Sequence, residues 1–186
     1  MNQQNSINVL KNKLKFSNTS ILKLEKFQDY LLNYNRKYNL ISKSTEKSIW
    51  ERHFVDSAQI LSHFDHKIVR NIADFGSGAG FPGLVIAIFD QNKRFHVKLY
   101  EKSPVKRSYL RMIKDKLNLN LSILENVYSN SIETDLIVCR AFKKLPQIIK
   151  ISREIVKKPH KLIILKGKDA QKEINKVSLD KNYSYK

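Results

Sequence analysis

The stretch "IADFGSGAGFPGLVIAI", residues 72–88, decides the fold class. A short apolar run carries Asp74, then Gly76, Gly78 and Gly80 alternate, and Pro82 opens a second apolar run. The pattern predicts a strand, a glycine-rich turn and a helix. In an open α/β sheet, ligands bind beyond the carboxyl ends of the strands where the strand order reverses, and this turn sits at such an end. Pro82 suits a first helical turn, where no amide donor is required. The amides at that helix start are expected to face an anionic group such as a carboxylate.

Working outward, "HVKLYE" (96–101), "NLSIL" (120–124), "DLIVCRA" (135–141) and "KLIILKG" (161–167) are further apolar runs of strand length. Helical segments over 82–89, 104–117, about 145–156 and 170–177 separate them. Strands alternating with helices predict a parallel sheet with right-handed crossovers. Upstream, Leu24, Phe27, Leu31, Tyr34 and Tyr38 recur at three- and four-residue steps, one apolar face of a helix. A turn near 42–45 offers capping hydroxyls. A second helix follows with Trp50, Phe54, Ser57, Ala58 and Leu61 on one side. Residues 1–18 are weakly patterned and read as a frayed lead-in. The expected architecture is one α/β domain with a helical extension over 1–66. A Rossmann-like, doubly wound and mostly parallel core spans 67–186.

At 186 residues the chain can bury one sizeable core, and its 41% apolar share suits a globular protein. No run approaches the roughly 18 apolar residues of a membrane span. The N-terminus lacks the pattern of a signal peptide. Cys139 is the sole cysteine, which excludes an internal disulfide and suggests a cytoplasmic protein with a packing role for the thiol. With 35 basic and 17 acidic residues the formal net charge is +18. Such a field attracts polyanions and points to nucleic acid. A lysine-rich composition spread over solvated faces is the competing explanation.

Several ligands compete for the glycine turn. A P-loop would close on Gly-Lys-Ser/Thr, which "GSGAGFPG" lacks. Counted from Gly76, the dinucleotide pattern G-x-G-x-x-G fails at Phe81. Counted from Gly78, it matches at Gly78, Gly80 and Gly83, two residues late relative to the strand. No Tyr-x-x-x-Lys pair is present for a common dehydrogenase chemistry. In phase with the strand end, the turn reads Asp-x-Gly-x-Gly-x-Gly (74, 76, 78, 80), the pattern associated with S-adenosylmethionine. Glu101 closes the next strand, where an acidic side chain can accept both ribose hydroxyls of a nucleoside cofactor. A solvated carboxylate beside Lys102 and Lys106 is the structural alternative.

Six blocks together resemble one family. They are "YNLIS" (38–42), "WERHFVDS" (50–57), "ADFGSGAGFPG" (73–83), "KRSYLR" (106–111), "CRAF" (139–142) and "LKG" (165–167). In this order the chain resembles the bacterial 16S ribosomal RNA 7-methylguanosine methyltransferases, the glucose-inhibited division protein B family. The resemblance implies a Rossmann-like class I methyltransferase with S-adenosyl-L-methionine as cofactor. It implies 16S rRNA or the small ribosomal subunit as partner, with no metal and a monomeric state. Gly76 and Phe81 would line the cofactor turn, Val127 and Tyr128 would meet the adenine largely through backbone, and Arg140 would stand at the reaction centre. "NVYS" departs from the small and acidic residues usual near Val127 and Tyr128. The block with Arg52, His53 and Asp56 would face the target base, three residues projecting from one side of a helix. Metal binding by His53 and Asp56 is not expected, since no further ligand lies nearby in sequence.

The sulfonium cofactor carries its own leaving group, and guanine N7 has a lone pair and no proton. A site without a Ser-His-Asp or paired-carboxylate constellation fits that chemistry. Lys43, Arg52, Lys106, Arg107, Lys143, Lys144 and Lys166 are candidate phosphate contacts. The family's core normally finishes with a strand pair, and the sequence after 177 leaves room for only one strand, so that pair is expected to be shortened. A catalytically weak or inactive RNA-binding remnant of the family and an NAD-dependent oxidoreductase stay open as alternatives.

Overall fold

Each strand expected from the apolar runs forms in the computed structural model, which describes residues 2–90, 94–128, 131–175 and 177. They are β1 (Asn71–Phe75), β2 (His96–Tyr100), β3 (Leu121–Leu124), β4 (Leu136–Arg140) and β5 (Lys161–Leu165). Among the described residues they make one sheet in the order β3-β2-β1-β4-β5, every pair parallel. Chain order reverses beside β1, which has β2 on one flank and β4 on the other. The crevice of a doubly wound sheet therefore opens where β1 and β4 end.

The helices are α1 (Gln3–Asn8), α2 (Asn18–Tyr38), α3 (Lys43–Glu46), α4 (Asp56–Ala58), α5 (Gly83–Phe89), α6 (Pro104–Leu117), α7 (Leu145–Ile155) and α8 (Ala170–Ile174). Side chains alternate across the sheet, as the pleat requires. Ile72, Leu99, Leu136 and Val138 join a core with α2, α5 and α6. Ala73, Phe75, Ile137 and Cys139 join a second core with α7 on the opposite face. Burial pushes the Cys139 thiol up to about 12, consistent with a packing role. Among the described residues, no helix is long and apolar enough to cross a membrane.

The N-terminal helices share the first core instead of forming a separate lobe. Phe27 of α2 lies 5.5 Å from Phe54 and 5.4 Å from Phe81, ring to ring, and so ties the extension to the glycine turn. Trp50 Nε1 donates to Gln28 Oε1 at 2.6 Å. α2 starts with Ser17, whose hydroxyl accepts from the Ser20 amide, and stops at Asn39 in the left-handed region.

Three expectations change. Residues 1–18 are not a frayed lead-in: Asn2 caps α1, a π-helical turn follows over Val9–Lys13, and Leu10 and Phe16 are buried. The second helix is composite, with a π-helical turn over Trp50–Val55, then α4, then a 3₁₀ turn over Gln59–His63. His53 is buried in this turn with Trp50, Phe54 and Val55, while Arg52 is exposed and Asp56 half-buried. The last helix ends at Ile174. The strand pair expected to be shortened would fall after 177, outside the described residues.

Candidate functional site

The crevice beside β1 holds a cleft of about 580 Å³, a size suited to a nucleoside-sized ligand. Its lining includes Gly76, Gly78 and Phe81 from the turn, Glu101 after β2, Val127 and Tyr128 after β3, Arg140 at the end of β4, and His53. With Lys106 and Lys143, ten of the residues singled out from sequence thus meet in one place. Asp74, Gly80, Arg52 and Asp56 are not among its lining residues.

The turn is built by internal hydrogen bonds. The Gly76 and Ser77 amides both donate to the Tyr100 carbonyl, at 2.9 and 3.0 Å, which fastens the turn to the end of β2. The Gly80 and Phe81 amides donate to the Ser77 carbonyl, and the Gly83 amide donates to Asp74 Oδ2 at 3.0 Å. The amides expected to face an anion are therefore engaged within the protein. The Ser77 carbonyl takes the two amides before the helix, and the buried Asp74 carboxylate takes that of Gly83 at its start. Gly76 has a φ of +73°, and a Cβ there would stand 2.5 Å from the Phe142 ring, so the ring closes over a position that only glycine can occupy. The Phe81–Pro82 peptide bond is cis.

Asp74 is fully buried, and its Oδ1 has no hydrogen-bond partner among the described residues. Burial pushes its carboxyl up to about 7, against the pull of hydrogen bonds and of Arg140. Glu101 is also buried, but both its oxygens are engaged. Oε2 accepts from the Gly78 amide at 2.9 Å and Oε1 from the Ser103 amide at 2.8 Å. A carboxylate offers about four lone-pair positions, so two stay available toward the cleft.

Arg140 and His53 line the cleft together and are bonded to each other. Arg140 Nη1 donates to the Arg52 carbonyl at 2.9 Å, Nη2 donates to His53 Nδ1, and the guanidinium lies 5.0 Å over the Phe81 ring. His53 stacks on the same ring at 4.8 Å. Burial first, then the charges of Arg140 and Arg52, hold His53 down at about 4. Its Nε2 meets Thr45 Oγ1 at 3.0 Å, and Thr45 donates onward to the Ser42 carbonyl at 2.9 Å. Asp56 is half-buried; burial raises its carboxyl while Arg140 and Arg52 pull it down.

Val127 is buried against the cleft, and Tyr128 is 56% exposed. The Tyr128 amide donates to Asn126 Oδ1 at 2.6 Å, so a backbone contact from it to a ligand would have to displace Asn126. Two candidate phosphate contacts turn inward. Arg107 donates to the carbonyls of Glu101 and Lys102, at 3.0 and 2.8 Å, and to Glu125 at 2.8 Å. Lys166 donates to the Lys143 carbonyl and to Glu173. Phe142, Leu40 and Ile41 line the cleft without having been singled out; they lie inside the blocks "CRAF" and "YNLIS", where an apolar residue carries no chemical signal of its own. Among the described residues no group of His, Cys, Asp and Glu could hold a metal ion.

This geometry has clear relatives. A solved Staphylococcus aureus chain, provisionally a caffeoyl-CoA O-methyltransferase, superposes with a TM-score of 0.54 at 14% identity over 94% of this chain and 84% of its own. The SAH-bound methyltransferase PaMTH1 of Podospora anserina gives 0.53 at 11% identity, over 75% and 57%. These show a class I methyltransferase fold. In sequence, the ribosomal RNA small subunit methyltransferase G of Pelagibacter ubique is 35% identical over 89% of this chain and 80% of its own. That of Rickettsia felis is 36% identical over 83% and 78%. The family profile described as rRNA small subunit methyltransferase G matches residues 20–185, and the chain belongs to that family, GidB.

Proposed function

We propose that this chain transfers the methyl group of S-adenosyl-L-methionine to N7 of a guanine in 16S ribosomal RNA. The carrying observation is the convergence of Gly76, Gly78, Glu101 and Arg140 on one cleft at the reversal point of the sheet, in a chain of the methyltransferase G family. The donor set fits the cofactor. The remaining lone pairs of Glu101 suit two ribose hydroxyls, the glycine floor admits the methionine end, and Val127 and Phe81 offer apolar walls to the adenosine. When bound, the cofactor supplies a methyl group on a sulfonium, a leaving group that needs no acid.

The protein's part is then orientation and charge placement. Glu101 holds the Gly78 amide and the Ser103 amide in place while facing the cleft. Arg140, fixed by the Arg52 carbonyl, His53 and the Phe81 ring, presents its guanidinium where it can donate to the guanine O6 and leave N7 free. His53 stays neutral, so no second positive charge adds to that of Arg140 beside a cationic cofactor. Asp56 offsets the charges of Arg140 and Arg52 and favours the cationic base that methylation produces. Asp74 and Gly80 shape the turn from beneath. We assign the enzyme to the cytoplasm, where its ribosomal substrate resides, as a monomer of one domain.

The test is transfer of labelled methyl from S-adenosylmethionine to undermethylated 16S rRNA and to small subunits containing it. Reduction and aniline treatment should then cut the labelled RNA at one guanine, the signature of N7 methylation. Label without that cut overturns the N7 assignment, and no label on either substrate overturns the methyltransferase reading.

A further inference from the structure

Among the described residues, Tyr38, Val105, Leu124 and Tyr128 are exposed large apolar side chains, and all four lie on segments that run into the cleft. Tyr38 ends α2, just before the lining residues Leu40 and Ile41. Its ring stacks on Tyr34 at 5.2 Å, and Tyr34 packs at 5.1 Å on the buried Tyr109 of α6. A column of three rings therefore runs from the core to the surface and holds Tyr38 still while leaving it 39% exposed. Lys37 Nζ sits 5.3 Å from the Tyr38 ring centre.

The charges on this side are free to meet an outside partner. Lys102 and Lys106 line the cleft beside Val105. The nearby acids are engaged: Glu101 holds two amides, Glu125 binds Arg107, and Glu46 accepts from Asn35. The other rim is arranged differently. Lys166 is tied to Glu173 and to the Lys143 carbonyl, while Lys143 lies over the Phe142 ring much as Lys37 lies over that of Tyr38. Aromatic faces interleaved with unpaired cations are the surface that single-stranded RNA takes, with bases stacked and phosphates neutralised.

We propose that the RNA strand crosses the cleft over the rim built by the end of α2 and the start of α6, with Tyr38 as the surface on which an unpaired base beside the target stacks. This rests on the rRNA reading above and specifies how the substrate lies on the site. The experiment measures binding of an unmodified 16S rRNA transcript to the full-length chain across a salt series, with S-adenosylmethionine affinity measured in parallel by calorimetry. Tyr38→Ala should weaken RNA binding about tenfold, Tyr38→Phe should stay within about twofold of the parent, and both should bind the cofactor as the parent does. Lys37→Ala should lower the salt slope by about one. Lys168→Ala and Lys172→Ala, which follow β5 at the other edge of the sheet, should change RNA affinity less than about twofold. Equal or larger losses at that edge, or a Tyr38→Ala chain that binds RNA unchanged, overturn the proposal. Because the readout is binding, a failure of methyl transfer would sink the catalytic reading and leave this result to stand or fall alone.

Discussion

An arginine side chain donates and never accepts, so its bond to His53 Nδ1 fixes that ring as the tautomer with its proton on Nε2, directed at Thr45. The ring is neutral because it is buried beside two arginines, and the consequence is measurable. An unfolded chain takes up a proton on this residue near 6.5, which the folded chain refuses until about 4. The stability that neutral His53 contributes is complete above pH 6.5 and is lost as pH falls toward 4, by up to about 3 kcal/mol. Asp74 works in the opposite sense, since its folded value near 7 lies above the unfolded one: its contribution is present below pH 4 and lost as pH rises through 7. Urea unfolding of the parent and of His53→Gln separates the two. The gap between the curves should shrink from pH 7.5 to pH 4.5, and a constant gap would contradict a ring held neutral by its surroundings. Glu101→Ala belongs to the same scale. It removes the acceptor of the Gly78 and Ser103 amides together with the ribose partner, so cofactor affinity should fall at least about tenfold in calorimetry. RNA affinity should hardly move, and equal losses would remove Glu101 from the ribose.

Among the elements, the glycine turn and the loop after β2 depend on backbone contacts that tolerate little. A Cβ on Gly83 would stand 2.2 Å from Leu99 Cδ2 and 2.6 Å from Asp74 Oδ2, both fixed in the core, whereas nothing lies within 4 Å of one on Gly167. Gly83→Ala should therefore cost about 2–3 kcal/mol and Gly167→Ala under about 0.5, read by thermal denaturation. Arg107→Lys should weaken cofactor binding several-fold without lowering the salt slope of RNA binding, because the fork that clamps two carbonyls beside Glu101 is lost while the charge is kept. A drop in that slope would return Arg107 to the RNA-facing surface. These two elements also show what sequence can and cannot disclose. β1 to β5, α6 and α7 were legible because an apolar run or a regular period maps directly onto a buried face. Asp-x-Gly-x-Gly-x-Gly marked the turn because positive φ leaves few residue choices. The π-helical turn over Trp50–Val55 has no period of its own, so the burial of His53 together with Trp50 and Phe54 could not be read from spacing. Arg107 and Lys166 read as surface charge because sequence shows a cation but not the carbonyl it meets. The capture of the Gly83 amide by Asp74 depends on a contact across nine residues, which local pattern cannot reveal.

Across the whole molecule the net charge of +18 says that polyanions are attracted, but the fold decides how many cations can reach one. Lys158 is held by Asp135, Lys166 by Glu173, and Arg107 by Glu125 and two carbonyls, so part of the basic inventory serves the protein itself. The lysines that remain are spread over several faces, and one RNA strand meets only those around the cleft. Binding should therefore release counterions from about four to six phosphates, well below what 35 basic residues would suggest. A transcript titrated between 50 and 200 mM salt should give a log–log slope of about −3 to −5, the −0.7 to −0.9 per phosphate expected of nucleic acids multiplied by that count. A slope steeper than about −8 would mean that the RNA wraps the molecule instead of crossing one rim. A flat response would mean that the charge is compositional and that shape and stacking alone hold the substrate. The rim variants then assign the slope: if Lys37, Lys102 and Lys106 carry it, three single substitutions together should remove about half of the salt dependence.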